Sequence, residues 1–287
     1  MRSSVIVLDA CTIINLLRID DDNHFLFELL LKIASQNSLF ISEEVLEETS
    51  RNKFCNDLSD AKKKQINQVL PQLQKFKKEN QYIQGYGDIV SFVRKYVNYE
   101  KRYNGELSSA ILCVILSMET SNHIAFVTDD YPAKHAFQNL FSFLHFGHIE
   151  DTVDFLISLY KSQSSLKFNR NMLIEFISRL KGRYAETACR AVEQAEMIKN
   201  SYSSLVSMKQ HREEIIALNQ MIDGWYKNNM ECFFQGVNHL KNLKGRNRVN
   251  LSFMEELNTD SYNEHLCKIQ LRLDEVKKYC GFIFQPD

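Results

Sequence analysis

Five acids stand where a sheet protein can use them. Asp9 closes the β-branched run Val5-Ile6-Val7-Leu8. Glu48 lies early in the helical text after Leu39-Phe40-Ile41, Glu106 opens the apolar stretch Leu107 to Met118, and Asp129 and Asp130 end the run His123 to Thr128. In an open parallel sheet, ligands bind beyond the carboxyl ends of the strands, where strand-terminal acids from distant parts of a chain can meet. Clustered carboxylates are costly to ionise together. A divalent cation resolves that cost, and hard oxygen donors suit Mg²⁺ or Mn²⁺. Two such ions ~4 Å apart would clamp the attacking and leaving oxygens of an in-line phosphoryl displacement. With no Cys or His read as a nucleophile beside the acids, the reaction they point to is metal-assisted hydrolysis of a phosphodiester.

Each acid also has a structural reading. Asp9 and Asp130 are good N-caps for the helices that follow them. Glu106 in a first turn favours the helix dipole. Glu48 reads equally as a solvated helix acid, with Glu44 one turn earlier as its rival. Taken singly these readings compete evenly with a catalytic one; taken jointly they fare less well, because all the positions fall on one expected sheet edge.

The elements that must position the acids are legible as alternating patterns. Residues 4–8 read as a buried strand and Cys11 to Arg18 as a helix, followed by a polar break at Asp20-Asp21-Asp22-Asn23. Phe25, Leu26, Leu29, Leu30 and Ile33 recur at helical spacing. Leu39 to Ile41 is a short strand, with Ser42 as N-cap and Glu43 and Glu44 in the first turn of the next helix. Asp57 to Lys78 and Asp88 to Glu100 read as helices, with a short strand or loop between them at Tyr82 to Tyr86. Leu107 to Met118 is apolar on nearly every side and should be buried. His123 to Thr128 is a strand, Leu140 to Phe146 a last strand and Asp151 to Lys161 a last helix. The alternation predicts an α/β fold, a parallel sheet flanked by helices, over residues 1–165. Residues 166–287 read as an all-α region of undefined role, with Gly281 to Phe284 its one strand-like stretch and a long helix ending near Lys244.

Four segments resemble the PIN domain family, in order and spacing, over residues 4 to about 160. They are Val5-Ile-Val-Leu-Asp9-Ala-Cys-Thr-Ile-Ile-Asn-Leu-Leu17, Ile41-Ser42-Glu-Glu-Val-Leu-Glu-Glu48, Asn104-Gly105-Glu106-Leu-Ser-Ser-Ala110 and Phe126-Val-Thr128-Asp129-Asp130. The resemblance implies a PIN-like sheet and an Mg²⁺- or Mn²⁺-dependent endoribonuclease. It implies Asp9, Glu48, Glu106 and Asp130 as metal-binding, catalytic acids, with Asp129 as a helper and Thr128 orienting water or a ligand. The Thr-x-Asp spacing favours Asp130 over Asp129. Glu106 departs from the family, where Asp is common. PIN domains include the toxins of many bacterial toxin–antitoxin pairs, so the resemblance extends to a toxin or defence effector held by an inhibitory protein or by its own helical region. Phosphatases of the HAD type also begin from a strand-end Asp but need a second Asp two residues on, where this chain has Cys11.

Net charge is −1, so bulk charge does not announce a nucleic-acid partner. Local basic runs do occur at Lys62-Lys63-Lys64, Lys75 to Lys78, Arg94-Lys95 and Lys101-Arg102. Tyr96, Tyr99 and Tyr103 are interleaved with them, able to stack on unpaired bases of a single-stranded or structured RNA. A solvated helix face explains these residues as well. Lys241 to Arg248 is the densest basic run of the helical region. Leu205, Met208, Ile215, Ile216, Leu218, Met221, Ile222, Trp225 and Tyr226 form an apolar stripe, read first as a bundle core and second as a homodimer or inhibitor interface. His211, His239 and His265 are too scattered to suggest a metal. Seven irregularly spaced cysteines, no leader pattern and no membrane-length apolar run predict a cytoplasmic protein with reduced thiols. The alternative from a different class is a PIN-like scaffold that binds RNA or protein without cutting.

Overall fold

A computed structural model describes residues 4–36, 38–51, 59–78, 85–97, 104–120, 122–162, 168–202, 211–227, 229–243 and 259–279. The chain forms two compact units, Met1–Gln163 and Ser164–Asp287.

In the first unit, β1 (Ser4–Leu8) leads through α1 (Ala10–Ile19) and α2 (Phe25–Ala34) to β2 (Leu39–Phe40). Then come α3 (Glu43–Ser50), α4 (Asp60–Val69), a 3-10 segment (Leu70–Phe76), α5 (Tyr86–Val97) and α6 (Gly105–Glu119). The unit closes with β3 (His123–Val127), α7 (Tyr131–Leu144), β4 (Gly147–Glu150) and α8 (Thr152–Ser162). The strands form one parallel sheet in the order β2-β1-β3-β4. Strands 1 and 3 are short, apolar and β-branched or aromatic, as suits strands buried on both faces. Their register sets Leu8 opposite Val127, so the residues just beyond, Asp9 and Thr128, emerge side by side. Two backbone bonds extend the ladder past the strands. Asp9 N–H donates to Val127 O at 3.0 Å, and Thr128 N–H to Glu150 O at 3.0 Å.

The order places a reversal between β1 and β3. From β1 the chain crosses to β2 on one side, and from β3 it crosses to β4 on the other. The connections therefore part at the carboxyl ends of these two central strands, the position at which open α/β sheets bind ligands. Helix α6 packs beneath them and is buried along Leu107 to Leu116. Its side chains share a core with Val5, Val7, Ile124, Phe126 and the α7 residues Phe137, Leu140 and Phe141. All-round apolarity in α6 therefore has the expected meaning.

Several expectations need correction or restriction. Leu140 to Phe146 is not a strand: Leu140 to Leu144 is the last part of α7, which stops where His145 takes a left-handed backbone (φ 52°), and the edge strand is Gly147–Glu150. The apolar run misled because helix, turn and strand entrance are all apolar, whereas β4 itself reads Gly-His-Ile-Glu and is only half-buried. The helix expected at Asp88 begins at Tyr86, and the basic helix from Asp57 divides into α4 and the 3-10 segment around Pro71. Tyr82 to Gln84, Tyr99, Lys101, Arg102, Tyr103, Leu205, Met208 and Gly281 to Phe284 lie outside the described residues.

The second unit is helical throughout its described residues: α9 (Arg170–Ser201), α10 (Arg212–Tyr226), α11 (Met230–Asn242) and α12 (Thr259–Tyr279). Leu218, Met221 and Ile222 of the apolar stripe are buried in its core, with Ala188, Val192, Phe233 and Val237. Ile216 and Tyr226 are exposed. The helix expected to run to Lys244 ends at Asn242, and residues 244–248 of the basic run lie outside the described residues. No helix among the described residues is long and apolar enough to cross a membrane.

Candidate functional site

The carboxyl ends of β1 and β3 meet at the reversal, and the residues that end those strands come together there. Asp9 is 2% exposed and is held on every side. Its Oδ1 accepts from Ala10 N–H at 2.7 Å, which makes it the N-cap of α1. Its Oδ2 accepts from Thr128 Oγ1 at 2.8 Å and from Cys11 Sγ at 3.2 Å. Burial raises the Asp9 carboxyl to about 6, against these three hydrogen bonds, and the nearby Glu106 charge pushes the same way. Asp9 and Glu106, 97 positions apart, therefore feel one another across the site.

Cys11 ties the two strand ends together. Besides its bond to Asp9, its sulfur accepts from Asp129 N–H at 3.1 Å and lies 3.4 Å from Thr128 Oγ1. Burial, with the charges of Asp9 and Asp129, pushes the Cys11 thiol well above its ordinary range, so it is a neutral hydrogen-bonding group here. A thiolate nucleophile is not what this environment favours.

The two neighbouring aspartates diverge. Asp129 turns toward α1 and α8: Asn15 Nδ2 and Thr152 Oγ1 donate to its Oδ2, and Thr152 N–H donates to its Oδ1 at 2.8 Å. Asp130 turns toward α7, where its Oδ1 accepts from Ala133 N–H at 2.8 Å as that helix's N-cap, while Thr128 Oγ1 accepts from Asp130 N–H at 3.1 Å. Thr128 is thus hydrogen-bonded on both sides, to the Asp9 carboxyl and to the Asp130 backbone. Close by, Asp151 is fully buried, caps α8 through Asp154 N–H at 3.0 Å and pairs with Lys134 at 3.0 Å.

Glu48 reaches the same region from α3. Its Oε1 accepts from Gly105 N–H at 2.9 Å, at the first turn of α6 and one residue before Glu106. The approach is close enough that a Cβ on residue 105 would stand 2.7 Å from Glu48 Oε2, so only glycine leaves that carboxylate its place. Glu44, one turn earlier, instead accepts from Ser108 Oγ. The two rival glutamates both reach α6, Glu48 at Gly105 and Glu44 at Ser108.

Strand ends and helix starts thus gather Asp9, Thr128, Asp129 and Asp130 at one edge, with Glu106 within electrostatic reach of Asp9 and Glu48 against the turn that carries Glu106. They do not form a closed cage: among the described residues, no three Asp, Glu, His or Cys side chains are grouped so as to hold a metal ion. The donor set still fits a hard divalent cation in kind, being all oxygen, with one buried carboxyl whose ionisation is opposed by burial and by a neighbouring acid. Cys11, Asn15 and Thr152 are site neighbours that sequence reasoning missed. Their signal was weak: Cys11 entered only as a departure from the phosphatase pattern.

Several residues of the basic runs are already engaged within the fold. Lys62 Nζ donates to Asp20 O at 2.9 Å, Lys63 lies 3.6 Å from Asp60, Lys77 pairs with Glu43 at 2.7 Å and Lys78 with Glu119 at 2.9 Å. Tyr96 is ring-packed between Phe92 and Phe143. His211, His239 and His265 sit beside Glu214, Glu213 and Tyr184 respectively. No protein-family model, curated protein or solved structure matches the chain.

Proposed function

We propose that the first unit is a PIN-like, Mg²⁺- or Mn²⁺-dependent endoribonuclease whose site is the reversal between β1 and β3. The observation that carries this reading is Asp9: a carboxyl buried at a sheet reversal, raised to about 6, with a second acid close enough to oppose its charge. Natural folds bury such groups sparingly, and perturbed acids cluster at functional sites. Asp9 and Glu106 would hold the cation, with Glu48, Asp129 and Asp130 completing the acidic surround. When bound, the cation supplies charge neutralisation at the phosphoryl oxygens and a lowered pKa for the attacking water. Thr128 and Cys11 fix the direction of the Asp9 carboxylate through hydrogen bonds to Oδ2. Glu48, anchored on Gly105 N–H, steadies the first turn of α6 and with it Glu106. Hydrolysis by activated water would leave a 3′-hydroxyl and a 5′-phosphate, with no covalent enzyme intermediate. A toxin-like or defence role, with an inhibitory partner, extends the same proposal.

A second reading, a scaffold that binds RNA or protein without cutting, is favoured by one specific feature. Asp9 and Asp130 both act as N-caps, and Asp129 is held by Asn15 and Thr152, so these acids already have structural employment. One experiment separates the two. Full-length protein and Asp9→Asn are incubated with RNA in Mg²⁺ or Mn²⁺, and products are mapped at both ends. The nuclease reading expects cation-dependent cleavage with 5′-phosphate ends, reduced at least about 100-fold in Asp9→Asn. Equal cleavage in both proteins, or none in either, contradicts it.

A further inference from the structure

His123 opens β3 at the end away from the acidic edge, and His148 lies within β4 opposite Ala125. The register sets Ala125 opposite His148 and Val127 opposite Glu150. Side chains alternate along strands, so His123, His148 and Glu150 project from one face of the sheet. His123 Nε2 and His148 Nδ1 are 2.7 Å apart. The ring planes are 22° from parallel with centroids 4.9 Å apart, so the rings meet edge to edge, nitrogen toward nitrogen, and do not overlap face over face. On the other side of His148, Nε2 lies 2.6 Å from Glu150 Oε1.

We infer that His123 and His148 form a surface site for a borderline divalent cation of the Zn²⁺ class, with Glu150 behind His148 as its orienting carboxylate. Two ring nitrogens at this distance cannot both carry hydrogens, nor can they both present lone pairs. One hydrogen lies between them, donated by one ring to the lone pair of the other, and a cation bound to both rings would take its place. Glu150 takes the Nε2 hydrogen of His148, which leaves the lone pair on Nδ1, facing His123. A carboxylate hydrogen-bonded to the remote nitrogen is the arrangement that fixes the tautomer of metal-ligating histidines and makes them better donors. Ser158 Oγ donates to the same Glu150 oxygen at 3.3 Å and helps hold it. Cation entry requires the His123 hydrogen to move to Nδ1 through solvent. Zn–N bonds of roughly 2.0–2.1 Å in a tetrahedral site put two ligand nitrogens about 3.4 Å apart, so the pair must open by roughly 0.7 Å. His123 is exposed and the His148 side chain is 43% exposed, which allows that adjustment. Among the described residues no third His, Cys, Asp or Glu joins the pair as a ligand, so water completes the sphere. Imidazole donors select zinc-like ions and not Mg²⁺, and the site is independent of the proposed nuclease chemistry.

The test is a ring-nitrogen NMR titration of the full-length, ¹⁵N-histidine-labelled protein with Zn²⁺ near neutral pH. The His123 and His148 signals should move together and saturate together. His148→Asn should leave His123 unmoved, His123→Asn should leave His148 unmoved, and Glu150→Gln should weaken the apparent affinity about tenfold or more. Mg²⁺ at the same concentration should move neither signal. Zinc held by thiols elsewhere leaves both rings unmoved and so is not mistaken for this site. The proposal is overturned if neither ring responds to millimolar Zn²⁺, in which case the pair is only a hydrogen bond between two rings. It is equally overturned if one ring responds without the other, or if Glu150→Gln binds as tightly as the wild type.

Discussion

Asp9 is the residue whose physics can be tested without any substrate. Its folded carboxyl holds a proton up to about 6, against a reference value of 3.8. Folding therefore favours the protonated form. Its contribution to stability is complete below pH 3.8 and is lost as pH rises through about 6, a swing of about 3 kcal/mol. Urea unfolding in metal-free buffer should show the wild type losing most of that swing relative to Asp9→Asn between pH 4 and pH 7. A pH-independent difference would mean that Asp9 is not the strained acid described above. Adding Mn²⁺ at pH 7 should restore part of the loss, because a cation that binds only the folded site stabilises it. The place of Asp9 was legible from sequence because a β-branched run ended in an acid at a helix start. The choice between Asp129 and Asp130 was not. Adjacent residues leave a strand end in different directions, and only the positions of Asn15, Thr152 and Ala133 decide which carboxyl goes where.

At the scale of elements, the parallel sheet was legible and its edge was not. Strands buried on both faces announce themselves as apolar runs, and β1 and β3 did so. The edge strand β4 carries His148 and Glu150, and its polar text was overshadowed by the apolar end of α7. Glu44 and Glu48 sit one turn apart on α3, so periodicity could not choose between them; in the fold Glu48 meets Gly105 N–H and Glu44 meets Ser108 Oγ. Gly105→Ala places a Cβ against the Glu48 carboxylate, the movable end of a side chain. The fold should tolerate this within about 1 kcal/mol, the scale of a lost cap. RNA cleavage should nonetheless fall about 100-fold, as expected when an active-site group moves by roughly an ångström. Thermal unfolding and initial rates measured on one preparation check both halves, and an unchanged rate would remove Glu48 from the site. The crossing of α10 and α11 makes the opposite case. A Cβ on Gly236 would meet Met221 N at 2.4 Å and Ala217 O at 2.7 Å, backbone atoms that cannot rotate away. Gly236→Ala should destabilise the second unit by about 1–3 kcal/mol, read as a lowered unfolding midpoint.

For the whole molecule, two compact units with separate cores leave the acidic edge entirely within the first. The division of residue patterns near position 165 was readable because strand alternation simply stops there. What the helical unit does was not readable, since its buried stripe is accounted for largely by its own packing. The central claim is that acids distant in sequence share one divalent cation at the sheet reversal. A crystal of the full-length protein soaked in Mn²⁺ tests it most directly. The claim predicts an anomalous peak within bonding distance of both Asp9 and Glu106. It would be contradicted by a fully loaded crystal with no peak there, or with manganese only at surface acids away from the β1–β3 reversal.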